Sequence, residues 1–156
     1  MKKLRKYFRV VNIDVRIYRM TQTVSIDLAQ VEYELQTKPL PDGKTRYFMH
    51  DQEKFVHSSD VFPKLNILKL LGKSGPAIGD CVTSPAYRGK SIYPLVINRV
   101  AAKLLDDGFK EVFILVNSDN ISSIRGIEKA GFKLFATIKA KRFLLFYFDK
   151  TVKRFE

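Results

Sequence analysis

Thr83-Ser84-Pro85-Ala86-Tyr87-Arg88-Gly89-Lys90-Ser91-Ile92-Tyr93-Pro94 is the stretch on which the reading of this chain turns. Ala77 to Val82, just ahead of it, is short and apolar, as a strand should be. From Ile92 to Asp107 the apolar positions fall into a helical period. The stretch is therefore a strand-to-helix turn carrying a flexible glycine and two cations, with the amides of a helix start gathered behind them. Such a turn is suited to holding an anion, a phosphate above all.

Downstream the signals are clear. Ile92, Leu95, Val96, Val100, Leu104 and Leu105 form one apolar helix face, which Asp106-Asp107-Gly108 ends. Val112 to Val116 is continuously apolar, the pattern of a strand covered on both faces. Asn117 to Asn120 lead into a second helix, with Ile121, Ile124 and Ile127 on one side and a stop at Gly131. Phe132 to Ile138 and Arg142 to Phe148 are expected to close the domain as an antiparallel pair.

Upstream, Phe8 to Met20 reads as a strand through the alternation Ile13-Asp14-Val15-Arg16-Ile17. Thr23 to Leu35 fits two templates. Val24, Leu28, Val31 and Leu35 suit a helix, whereas Val31, Tyr33 and Leu35 alternate like a strand; a helix is the expectation. Lys38-Pro39-Leu40-Pro41-Asp42-Gly43 reads as a turn or loop. Arg46 to His50 and Lys54 to His57 form a hairpin around Asp51-Gln52-Glu53, and Phe62 to Gly75 is a short helix or irregular cover. The element order predicts one α/β domain over residues 1–156, built on a mixed sheet.

The bulk numbers agree. A chain of 156 residues holds one domain with a real core, and its composition is that of a soluble globular protein. No apolar run is long enough to span a bilayer, the longest tight one being Phe143 to Phe148. The N-terminal charges have no apolar run behind them, so no signal peptide is expected. A single cysteine, Cys81, excludes an internal disulfide framework and suits the cytoplasm. The net charge of +12 favours anionic partners. Nucleic acid is not the expected one, since neither a zinc spacing nor an aromatic ribonucleoprotein signature is present. The cations are densest from Lys2 to Arg9 and from Lys139 to Arg154, where a solvated surface is the favoured reading over an anionic surface or membrane. His50 and His57 have no third ligand at a sensible spacing, so no metal is expected.

Gly89-Lys90-Ser91 between a strand and a helix invites comparison with the phosphate loop of nucleotide hydrolases. That loop needs a glycine where this chain has Ser84, and Pro85 and Ala86 stiffen it. The comparison fails on spacing.

Pro85 to Ile92 instead resembles the acyl-CoA-binding turn of the GNAT superfamily of N-acetyltransferases. Arg88 fills the opening position of that motif, while Ser91 and Tyr93 replace its small residues. The run from Asn117 to Phe132 resembles the superfamily's second cofactor-contacting segment, with Asn120, Ser123, Glu128, Lys129, Gly131 and Phe132 in place. Together the two cover Ala77 to Phe148, roughly the C-terminal half. The resemblance implies a mixed, mostly antiparallel twisted sheet with helices on both faces and two splayed central parallel strands. It also implies acetyl-CoA as the acyl donor. The implied cofactor contacts are Val82 and Thr83 on the strand, Arg88, Gly89, Lys90, Ser91, Ile92 and Tyr93 in the turn, and Asn117, Asn120 and Ser123 beyond it.

In that superfamily an amine attacks the thioester directly, with a base for the amine proton, an amide near Val82 for the thioester oxygen, and an acid for the thiolate. The acid is commonly a tyrosine on the second helix, where this chain has Ile127. Ser123 or Asn120 acting through water, Tyr93 or Tyr147 from elsewhere, or an unaided thiolate remain open. His57 is the first choice of base, with Asp80 and Asp60 as carboxylate alternatives. An acyl relay on Cys81 is the weaker idea, because a cysteine on a strand is ordinarily a small core residue. Arg88-Gly89-Lys90-Ser91-Ile92-Tyr93-Pro94 also resembles, apart from Ser91, the Arg-Gly-Lys-Gly-Ile-Tyr-Pro turn of small bacterial acetyltransferases, some associated with surface polysaccharides. That points to a small amine acceptor, such as an anionic, nucleotide-linked amino sugar. The departures at Ile127 and Ser91 keep a catalytically weak CoA-binding module as the first alternative, the net charge alone keeps a basic nucleic-acid-binding protein as the second, and a homodimer is left open.

Overall fold

The computed structural model describes residues 8–28 and 32–156. One sheet of eight strands organises them, in the order β2-β3-β4-β5-β6-β1-β7-β8. The strands are β1 (Val11–Met20), β2 (Gln36–Pro39), β3 (Thr45–Asp51), β4 (Lys54–Phe62), β5 (Ala77–Thr83), β6 (Val112–Asn117), β7 (Lys133–Phe143) and β8 (Phe146–Arg154). Every neighbouring pair is antiparallel except β5 and β6.

Two α-helices, α1 (Ile92–Asp106) and α2 (Ile121–Lys129), follow β5 and β6. The central strand β6 explains how the layers form. Val112, Ile114 and Val116 alternate into a core shared with Val96, Val100 and Leu104 of α1 and with Ile124 and Ile127 of α2. Phe113 and Leu115 point the other way, into a core closed by Ile67, Leu68 and Leu71 of a 3-10 helix at Asn66–Leu71. Helical cover is thus present on both faces but unequal: both α-helices lie on one, a single 3-10 helix on the other.

Three segments differ from the sequence expectation. Among the described residues of Thr23 to Leu35 there is no helix; residues 29–31 of that span lie outside the description. The tether is a buried side chain on α1: Asn98 donates to the carbonyls of Val24 and Ala130, 2.9 Å each. Val24 also packs within 2.8 Å of where a Cβ on Gly131 would stand. The segment therefore takes its shape from tertiary contacts that its own periodicity does not encode.

Lys38 and Pro39 end strand β2, and the turn lies just beyond them, where Leu40 N–H donates to the Lys44 carbonyl at 2.8 Å. Arg142 to Phe148 is not a single strand either. β7 runs on to Phe143, and the hairpin turns on Leu144 and Leu145. Neither residue is a turn former, so the composition hid the bend.

Candidate functional site

β5 and β6 are in parallel register only at Ala77 with Phe113 and Ile78 with Ile114. Beyond those pairs the strands separate, and a β-bulge in β5 marks the point of departure. Ser58 pairs with Val82 and Asp60 with Gly79, so β5 carries one residue more than β4 over this span. Asp80 absorbs the extra residue at φ +47. A bulge of this kind re-aims the strand and leaves backbone groups off the ladder.

The gap is a cavity of about 440 Å³ lined by Val15, Gly79, Asp80, Cys81, Tyr93, Ile114, Leu115, Val116, Asn117, Asn120 and Ser123. A second cavity of about 480 Å³ shares Cys81, Tyr93 and Ser123 with it and continues past Val82, Thr83 and Ser122 to Arg88. The structure therefore gathers most of the sequence-predicted contacts along one cleft, including Val82, Thr83, Arg88, Tyr93, Asn117, Asn120 and Ser123. Ile92 contributes only backbone, because its side chain is buried in the core.

At the mouth, the turn before α1 is anchored from below and open above. Tyr87 is buried, donates its hydroxyl to Asp51 at 2.9 Å, and meets Tyr33 edge to face. Arg88 Nε donates to the Thr83 carbonyl at 3.1 Å, while Arg88, Gly89 and Lys90 are exposed. Gly89 and Ser91 both have positive φ, +76 and +59. Positive φ at every second residue turns successive amides to one side, an anion-binding concavity. Lys129, from the end of α2, donates to Ser91 Oγ at 2.7 Å and brings a third cation to the turn. No side chain caps the start of α1.

Tyr93 is the residue on which the two helices converge. Its ring lies against the backbone of α2 at Gly126, where an added Cβ would stand 2.6 Å from ring carbon Cδ1. Its other neighbour is the His57 ring, 6.2 Å between centroids. Burial raises the phenol pKa, so the hydroxyl stays protonated, and the neighbouring Ser123 hydroxyl only partly offsets this. Tyr147, by contrast, packs into the core on the opposite face. Ile127 is fully buried.

His57 sits at the head of a buried polar run on β4, wholly inaccessible. Its ring nitrogens are both engaged, Nδ1 with Thr83 Oγ1 and Nε2 with Ser59 Oγ, each at 2.7 Å. Burial depresses its pKa to about 4. A neutral, enclosed imidazole of this kind is suited to fixing Thr83 and Ser59, and poorly suited to taking a proton from an amine. Asp60 is buried in a bidentate pair with Arg46, at 2.7 and 2.9 Å. Asp80 is the carboxylate that lines the cleft, 3.7 Å from Lys44 Nζ. The Cys81 thiol is pushed up to about 12 by burial, which keeps it protonated and unsuited to nucleophilic relay.

Sequence reasoning named neither Gly126 nor the bulge as functional. A glycine in the middle of a short helix is a legible signal of close approach. The bulge had none.

A parallel strand pair that parts and an open turn leading into a helix are what the resemblance of Pro85 to Ile92 and of Asn117 to Phe132 implies. The chain belongs to the GNAT family of acetyltransferases, whose model matches residues 33–132. No curated protein matches it. Among solved structures it is similar to a GNAT-family protein from Novosphingobium aromaticivorans, with a TM-score of 0.58 and 16% identity. That likeness covers 81% of this chain and 62% of the other, so the chain spans about three-fifths of that structure's length. At this identity the likeness is one of fold.

Proposed function

We propose that the protein transfers an acetyl group from acetyl-CoA to a primary amine of a small molecule. The observation that carries the proposal is the parting of β5 from β6 beyond Ile78 and Ile114, which opens a cleft directly onto the uncapped turn before α1. The residues fit the donor. Arg88, Lys90, Lys129 and the amides of Gly89 to Tyr93 offer charge and donors for its pyrophosphate. Asn117, Asn120 and Ser123 line the groove that a pantetheine arm would follow.

Acetyl-CoA would supply an acetyl group activated as a thioester. Transfer forms a C–N bond, breaks the C–S bond, releases one amine proton and leaves a thiolate that needs one. Tyr93, which lines both cavities and is held protonated by burial, would donate that proton. It would take the role that buried Ile127 cannot. Asp80, on the bulge and open to the cleft, would attract the amine and receive its proton directly or through water. His57 would act as a positioning residue, fixing Thr83 and backing the Tyr93 ring.

The acceptor we favour carries its own negative charge, as a nucleotide-linked amino sugar does. The net charge of +12 supports an anionic acceptor over a polyamine. Incubation with acetyl-CoA and a panel of amines that includes nucleotide amino sugars should release free thiol. Tight CoA binding by calorimetry with no thiol released for any amine would replace this reading with a silent CoA-binding module.

A further inference from the structure

Phe8, at the described end of one basic stretch, lies beside a second basic stretch far along the chain. β1 pairs with β7 and β7 with β8, which sets Val11 opposite Arg142 and Phe143 opposite Phe146. The Phe8 ring lies 6.5 Å from that of Phe143. Residues 139–154 hold six of the chain's 28 Lys and Arg residues and a single acid, Asp149.

At this corner the β7–β8 hairpin ends in an apolar tip. Leu145 is 76% exposed and Phe146 73%. Leu144 holds φ +53, a conformation that suits glycine or asparagine. Leucines thus occupy a turn where solvation and backbone geometry both favour a small polar residue. Phe8 and Phe148 continue the exposed apolar surface, and Lys141 stands directly across from Phe148.

We propose that this hairpin tip docks the protein on the surface of an anionic lipid bilayer. Leucine and phenylalanine would enter the acyl boundary while Arg142 and Lys150 meet headgroup phosphates, joined by Lys139 and Lys141 as they exchange their exposed ion pairs with Asp14 (3.9 Å) and Asp149 (3.0 Å) for phosphate. Nucleic acid would use the cations but leave the leucines in water. Pairing of β8 with β8 of a second copy would set Lys150, Lys153 and Arg154 against their own kind, the usual protection of an edge strand. Position adds a consequence. Val15 lines the cleft, and Val11, about 13 Å along the same strand, pairs with Arg142. The tip and the open end of the cleft lie at the same end of the sheet, so docking would bring the mouth of the cleft toward the lipid interface. The docking proposal stands independently of the acetyl-transfer reading.

Flotation of the full chain with phosphatidylcholine vesicles, with and without phosphatidylglycerol, tests it. Retention is expected on the anionic vesicles alone and should be lost in molar salt. Leu145→Ser with Phe146→Ser, both exposed, should keep the thermal melt and weaken retention at least about tenfold. Lys141→Ala should weaken it about fivefold. Failure to bind either vesicle, equal retention on neutral vesicles, or anionic retention that survives the double substitution would overturn the proposal. So would a dimer in sedimentation that the double substitution dissolves, which would make a second copy the occupant. RNA or DNA retained at physiological salt, with no vesicle bound, would assign the patch to nucleic acid.

Discussion

Among the described residues two strands run into α-helices, β5 into α1 and β6 into α2, and the two junctions are finished in opposite ways. At the second, Asn120 Oδ1 accepts from Ser123 N–H at 3.2 Å, and Ser118 Oγ donates to Asp14 at 2.6 Å. At the first, Ser91 caps nothing with its side chain and holds φ +59. Every helix start leaves amides without intrahelical partners. One junction satisfies part of that demand internally; the other leaves it to solvent or an incoming anion, and surrounds it with Arg88, Lys90 and Lys129. Two turns alike in topology thereby differ: one is closed by its own side chains, the other is left open and ringed by cations. The helices then meet at Tyr93 on Gly126, so the open junction is held in register by the closed one.

That division can be tested by removing its parts. The largest effect should come from Gly126→Val, whose side chain would collide with the Tyr93 ring. We expect acetyl transfer to fall by more than about 10³ and stability by about 1–3 kcal/mol. Thiol-release rates beside thermal melts will show it, and an active, stable variant would detach Tyr93 from the chemistry. Tyr93→Phe should lower kcat by about 10² or more while KM for acetyl-CoA holds. An unchanged kcat would remove the phenol as proton donor.

His57, which fixes the last residue of β5, gives a pH signature. Burial holds its folded pKa at about 4, below its ordinary 6.5. Between those values the unfolded chain binds more protons, so the stability is complete above 6.5 and declines as pH falls toward 4. The decline should be on the order of 3 kcal/mol at most, read from urea unfolding. His57→Gln should flatten it; an identical slope in that variant would place the titrating group elsewhere.

Arg88→Ala with Lys90→Ala should raise KM for acetyl-CoA about tenfold and leave kcat in place, as loss of uniform binding does. A drop in kcat alone would argue against a phosphate-holding turn. The smallest effects separate the junctions themselves. Asn120→Ala should lower stability by about 1 kcal/mol as a lost cap, whereas Ser91→Gly should raise it by up to about 1 kcal/mol by relieving left-handed backbone. Chemical denaturation of the pair will show whether the signs are opposite.

Much of the C-terminal half was legible in the chain. Ile92 to Leu105 declares its helix through period, β6 declares its burial through an unbroken apolar run, and Gly108 and Gly131 mark the ends. Gly89 and the two cations beside it marked the turn between β5 and α1, and the resemblance carried by the Asn120 segment led to the proposal that it holds CoA. The N-terminal half was less legible. Val24, Leu28 and Leu35 share a helical spacing, yet Asn98 and Gly131 hold Val24 in place. Leu144 and Leu145 form a turn that their composition denies. Roles within the site were harder still, because His57 looks like a base until both its ring nitrogens are found engaged.

By itself, then, the sequence determined what depends on neighbours along the chain: the periods of α1 and α2, the buried character of β6, and the glycine, cations and cap residue at the two junctions. Tertiary structure decided what depends on neighbours across space. It parted β5 from β6 at a bulge, laid Tyr93 on Gly126, buried His57 between Thr83 and Ser59, and set Phe8 beside Phe143 at the hairpin. A pKa, a close approach or a surface patch is set by residues brought together from afar, and no local pattern records that meeting.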